Sequence, residues 1–155
     1  MRSIEQWLDE YNESHQNKIN KLLHWLCVPP IVFSLLGLLW SLSLPGDVSG
    51  LPFTLNWAIL IIVLALIYYS FLSLSLTLGM FLITGLMIFV LDSLSGLAIS
   101  LWAICLFIFV LAWTGQFIGH KYEGKSPSFF KDVQFLLIGP LWLLSFIYRK
   151  LDISY

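Results

Sequence analysis

Charge is what this sequence has least of. Asp, Glu, Lys and Arg make up 11% of its 155 residues, where a soluble domain carries about 25%. From Trp25 to Gly119 the only charged side chains are Asp47 and Asp92. A soluble globular domain is excluded, and the net charge of −1 gives no basic footprint for nucleic acid. Cysteine is scarce as well. Cys27 and Cys105 make neither a CxxC pair nor a zinc spacing, and read as buried free thiols. There is no P-loop, no Rossmann glycine pattern and no nucleophile triad. The polar N-terminus has no apolar h-region, so no cleavable signal peptide is expected. Histidine is limited to three residues, His15, His24 and His120.

What the chain does have is apolar length. It is 59% hydrophobic, with a mean hydropathy of +0.87. The expected fold is an all-α polytopic membrane helical bundle, one domain over residues 1–155. It should have about four transmembrane helices, an amphipathic N-terminal helix and short or interfacial C-terminal helices. Ser3 and Gln6 fit a capping box. Ile4, Trp7, Leu8 and Tyr11 then fall on one helical face, which His15 continues, while Glu5, Asp9 and Glu13 lie opposite. A bend over Ser14–Asn17 lets a second short helix carry Asn17, Asn20 and His24 on one face. Val28-Pro29-Pro30 is expected to end that helix, because the residue before a proline avoids the α region.

The first span is expected from about Pro30 to Leu44, followed by a turn-rich loop over Pro45–Pro52. Phe53–Leu91 is uncharged and reads as two helices with a tight turn near Ser70–Ser75. Leu74–Leu78 alternates like a strand, but an open strand edge cannot face lipid. Ser70, Ser73, Thr77 and Thr84 suit a small-residue seam between helices instead. Asp92–Gly96 is read as a loop and Leu97–Gly119 as the fourth span. Ser126 and Pro127 should open an interfacial helix with Phe129, Phe130, Val133, Leu136 and Leu137 on one face and Lys131 and Asp132 opposite. Gly139-Pro140 should break it, leaving Leu141–Tyr148 to dip into the membrane or lie flat.

The histidines gain meaning from topology. Arg2, Lys18 and Lys21 precede the first span, and Lys121, Lys125 and Lys131 follow the fourth. The loop at Asp47 and the loop at Asp92 carry no basic residue. Four crossings then put both basic ends, and all three histidines, on the cytoplasmic side. The protein is expected to be integral and multi-pass, in the inner membrane of a bacterium or the endoplasmic reticulum of a eukaryote. Gln116, His120 and Glu123 share a face if the last span continues through Gly119. Neutral imidazoles with a carboxylate form the donor set of a non-haem Fe(II) site. The candidate ligands are His15, His24 and His120, with Glu123 a ligand, a supporting group or an ordinary loop carboxylate. Tyr11, Asn20 and Gln116 can hydrogen-bond a ligand's free ring nitrogen or a metal-bound water. Two other readings stay open: a non-enzymatic membrane protein, such as an assembly factor or transporter subunit, and haem ligation by two of the histidines. Homo-oligomerisation is left open too.

At these residues the chain resembles the Mpo-type family of small membrane proteins. The N-terminal match is Tyr11-x-x-x-His15, Asn20-x-x-x-His24 and Val28-Pro29. The C-terminal match is Gln116-Phe117-Ile118-Gly119-His120, Glu123-Gly124-Lys125, Pro127 and Gly139-Pro140. The resemblance implies an Fe(2+)-dependent dioxygenase of fatty acid α-oxidation, which uses O2 to convert a 2-hydroxy fatty acid to the acid one carbon shorter. It implies a headgroup chelated at the bilayer edge with its acyl chain in lipid or between helices, and Lys121 or Lys125 steering the carboxylate.

Overall fold

The computed structural model describes residues 2–42, 56–127 and 134–155. These form six helices: α1 (Ile4–Asn12), α2 (Lys18–Trp40), α3 (Trp57–Ser70), α4 (Leu74–Ser95), α5 (Leu101–Glu123) and α6 (Phe135–Lys150). The chain is an all-α membrane helical bundle. Three of the helices, α2, α4 and α5, are long and apolar enough to cross a membrane; α3 is apolar but has only 14 residues. Their outer faces are bare apolar surface, with Leu82, Phe89 and Phe107 each 70% exposed, which suits contact with lipid tails. The expected loop over Pro45–Pro52, the start of a span at Phe53, and Phe129, Phe130, Lys131, Asp132 and Val133 lie outside the described residues.

Helix α1 starts where the capping box predicts. The Gln6 amide donates to Ser3 Oγ, and the Ser3 amide donates to Gln6 Oε1. Its buried side chains are Ile4, Trp7, Leu8 and Tyr11. The turn between the middle helices falls at Phe71–Ser73, with Ser73 capping α4 through the Leu76 amide.

Three expectations are corrected. Val28-Pro29-Pro30 does not end a helix; α2 runs through both prolines to Trp40. Losing two N–H groups frees the Trp25 and Leu26 carbonyls, and the long packing of α2 against α5 offsets that. The hydroxyls of Ser70, Thr77 and Thr84 donate to carbonyls of their own helix or its cap, which leaves no hydroxyl unpaired in an apolar surrounding. Asp92 lies inside α4 rather than in a loop. Gly139-Pro140 does not break the C-terminal helix: α6 passes through it, with Phe135, Ile138, Leu141, Trp142 and Ser145 among its buried residues. Pro140 removes a single hydrogen bond near the helix start, and burial on two sides outweighs the loss. On one side Phe135 and Trp142 meet Trp7 and Tyr11 of α1. On the other, the Tyr69 hydroxyl donates to the Leu137 carbonyl and the Tyr148 hydroxyl to the Ser75 carbonyl. Helix α6 is thus a layer between α1 and the α3–α4 turn.

The seam that matters runs between α2 and α5, which pack antiparallel. Gly37 faces Cys105 of α5 and Leu91 of α4, Gly115 faces Cys27, and Gly119 faces Asn20 and Leu23. With no Cβ at these positions the backbones approach closely, as small residues allow in membrane helices. A Cβ at Gly37 would overlap the Cys105 sulfur. Gly37→Ala should therefore lower stability by about 1–3 kcal/mol, read as a lower Tm of the detergent-solubilised protein. Adding Cys105→Ala should restore most of the loss.

Candidate metal centre

Three helix ends meet at one end of the bundle. His15 lies in the bend between α1 and α2, His24 in the second turn of α2, and His120 in the last turn of α5. All three are buried, at 0%, 2% and 5% exposure. One ring nitrogen from each lies within 4.8 Å of the others. The bend is held by its own hydrogen bonds. The His15 amide donates to the Asn12 carbonyl, and Asn17 caps α2 through the Ile19 amide.

The hydrogen bonds fix which nitrogens face inward. His15 Nδ1 donates to the Tyr11 carbonyl at 2.6 Å, and His24 Nδ1 to the Asn20 carbonyl at 2.9 Å. A carbonyl can only accept, so both Nδ1 atoms carry hydrogen. A neutral imidazole has one N–H, so both Nε2 atoms are bare. They face each other at 2.8 Å. His120 Nδ1 is buried and without a hydrogen-bond partner.

Two bare nitrogen lone pairs at 2.8 Å repel unless a cation sits with them. A shared proton is the lesser candidate, because burial pushes the His15 imidazolium down to about 4, against the Tyr11 carbonyl, which favours the charged form. At neutral pH the His15 ring is neutral. Two imidazole nitrogens at ~2.1 Å from one metal and at right angles stand ~3.0 Å apart, close to the spacing found. His15 and His24 also each have the remaining N–H on a backbone carbonyl, the support that metal-bound histidines require. The residues fit a bound metal ion; imidazole nitrogen suits Fe, Zn, Cu and Ni alike.

The ring walls come from α1 and α6. Tyr11 stacks on His15 with centroids 4.2 Å apart and planes 9° from parallel. Trp142 lies 5.2 Å from His15 and 6.3 Å from His24. A cavity of about 60 Å³ opens beside the histidines, with Tyr11, His24, Gln116 and His120 in its wall. Gln116 Oε1 and Asn20 Oδ1 are buried and unpartnered. Asn20 Nδ2 spans the Ser14 carbonyl and Glu123.

Glu123 stands outside the group of three nitrogens. Its Oε1 accepts from the Gln16 amide at 2.8 Å, and Oε2 from the Asn17 amide at 2.8 Å and Asn20 Nδ2 at 3.1 Å. It ties the end of α5 to the start of α2, where a carboxylate also meets the positive end of the helix dipole. Lys121 and Lys125 are exposed, and neither lines the cavity. Lys125 Nζ donates to the Glu13 carbonyl. Sequence reasoning missed Phe135 and Trp142. Their i, i+7 spacing was masked by reading Gly139-Pro140 as a break.

The family model described as 2-hydroxy-palmitic acid dioxygenase Mpo1-like matches residues 1–151. The chain belongs to the Mpo1-like family. No curated protein and no solved structure matches it. The match covers both histidine-bearing ends and the spans between them, so the metal-fitting cluster lies within the family's own extent.

The centre predicts that purified wild-type protein takes up about one transition-metal ion per chain, and that His15→Ala, His24→Ala and His120→Ala each abolish stoichiometric binding. Elemental analysis after metal loading and desalting reads this directly. Full retention in any single variant would remove that residue from the ligand set.

Proposed function

We propose that this Mpo1-like protein is an Fe(II)-dependent dioxygenase that converts a 2-hydroxy fatty acid to the acid one carbon shorter. The observation that carries the reading is the trio of buried neutral imidazoles with bare nitrogens turned toward one another beside a cavity. The family's description supplies the substrate class. The reaction balances without a further reductant: the acid loses its carboxyl carbon as CO2, its hydroxyl-bearing carbon becomes the new carboxyl, and O2 is reduced by four electrons, leaving one water. Iron bound to the three imidazoles would supply the electron-transfer chemistry with O2.

The chain's own residues bind and orient. His15, His24 and His120 hold the metal, the first two each locked in one tautomer by a carbonyl. Gln116 Oε1, an unpartnered acceptor at the cavity wall, takes a hydrogen bond from the substrate's hydroxyl or a water. Tyr11 and Trp142 exclude bulk water from the rings. Glu123 serves as a positioning residue rather than a ligand, since both its oxygens already hold the α1–α2 bend. Lys121 and Lys125 act from the rim, by charge at a distance. Four crossings would put this end of the bundle on the cytoplasmic side. Haem ligation by His15 and His24 is disfavoured, because nitrogens 2.8 Å apart cannot stand on opposite faces of a macrocycle.

Iron-loaded protein should consume O2 in equal amount with 2-hydroxypalmitic acid and release the odd-chain acid, detected by mass spectrometry, and His120→Ala should fall to background. No O2 uptake with any 2-hydroxy fatty acid would overturn the reading in favour of a non-enzymatic membrane protein. Glu123→Gln separates positioning from ligation. It should still bind one iron at saturation, with affinity lower by roughly 10–100-fold, whereas loss of stoichiometry would make Glu123 a ligand.

A further inference from the structure

The cavity beside the histidines is not isolated. Val32 and Pro140 line it, and both also line two further cavities on its apolar side. One is a slot between α2, α3, α4 and α6; the other is a lateral groove between α2, α4 and α6. Resting on the reading of the substrate as a 2-hydroxy fatty acid, we propose that its acyl tail occupies the slot, entered past Val32, Leu136 and Pro140.

The slot is chosen on direction and chemistry. Along α2 its wall is Val32, Leu35 and Leu36. Leu36 is twelve residues beyond His24, which is ~18 Å along the helix, so the slot leads away from the histidines toward the middle of the bundle. The groove instead has Trp25, Val28 and Pro29 of α2 in its wall, which lie within the first turns after His24. The slot's two polar side chains are both satisfied by the protein. The Tyr69 hydroxyl donates to the Leu137 carbonyl, and Thr84 Oγ1 to the Met80 carbonyl. Nothing in its wall calls for water, and a hydrocarbon tail leaves no polar group unpaired there. The polar groups that need partners, Gln116 Oε1 and His120 Nδ1, are at the other end. One polar head site joined to one apolar slot is the shape of an amphiphile.

Ala65 of α3 lines the slot and is half-buried. Enlarging it shortens the space for the tail. Ala65→Leu should shift preference from 2-hydroxypalmitic toward 2-hydroxylauric acid by about tenfold, the order of discrimination an apolar pocket achieves. Ala103→Leu, on an exposed face of α5, should leave the preference unchanged.

The test that does not depend on turnover is photolabelling of the full-length protein with 2-hydroxypalmitic acid carrying a diazirine at its tail end. Labelling displaced by unmodified acid should fall on Leu35, Leu36 or Ile62, and Ala65→Leu should suppress it. Displaceable labelling at Trp25, Met87 or Ile147, labelling only on lipid-facing Phe81 or Phe107, or no displaceable labelling would each overturn the slot. Slot labelling without O2 uptake would retain the tail site and sink the dioxygenase. Uptake without slot labelling would do the reverse.

Discussion

A backbone carbonyl can accept a hydrogen bond but not give one, and the candidate centre depends on that constraint. The Tyr11 and Asn20 carbonyls force hydrogen onto Nδ1 of His15 and His24, leaving two bare Nε2 atoms facing each other at 2.8 Å. No rearrangement of protons on two neutral rings relieves this while both carbonyls stay in place. Both carbonyls belong to helix ends, at the last turn of α1 and the first of α2. The tautomers of His15 and His24 are therefore a consequence of where those helices stop and start. Capping, which looks like a local matter of Ser3, Asn17 and Glu123, sets the chemistry of the rings.

Burial then converts this geometry into a usable ligand set. An imidazole in water near neutral pH is partly protonated, and a protonated ring does not bind metal. The α6 layer and α1 keep water from His15, so the neutral form prevails well below physiological pH. The aromatic contacts of Tyr11 and Trp142 supply the dry wall without adding a competing charge. That is why the most buried helix of the protein is one too short to be a conventional span. Its role is to close the end of the bundle over the rings rather than to cross lipid.

Much of this was legible in the sequence. Charge depletion gave the membrane class, and the positions of three histidines relative to the spans gave their convergence. The i, i+4 and i+7 spacing of Gln116, His120 and Glu123 placed them on one face, and α5 does continue through Gly119. Proline misled at both places where it was weighed as a local breaker. Pro29-Pro30 and Pro140 each sit in a helix whose flanking residues are held by neighbouring helices, and tertiary packing outweighs a missing N–H. Glu123 was ambiguous for a different reason. A carboxylate three residues from a histidine has the same spacing whether it binds metal or caps another helix, and only the position of the Gln16 and Asn17 amides tells the two apart. The glycine seam was illegible because its partners, Cys27 and Cys105, are distant in sequence and looked inert.

That seam explains how a centre split across the chain can be accurate. His24 and His120 are separated by most of the protein, yet the ligand nitrogens must meet within fractions of an ångström. Membrane helices lack a hydrophobic force driving them together in lipid, so their spacing is set by how closely backbones can pack. Gly119 adjoins His120 and lies against Asn20, whose carbonyl orients His24. The residue that lets α5 approach α2 thus adjoins one histidine in sequence and touches the residue whose carbonyl holds another. Helix approach and ligand orientation are one variable at this point. A metal held by all three rings would stabilise the folded arrangement through the same contact.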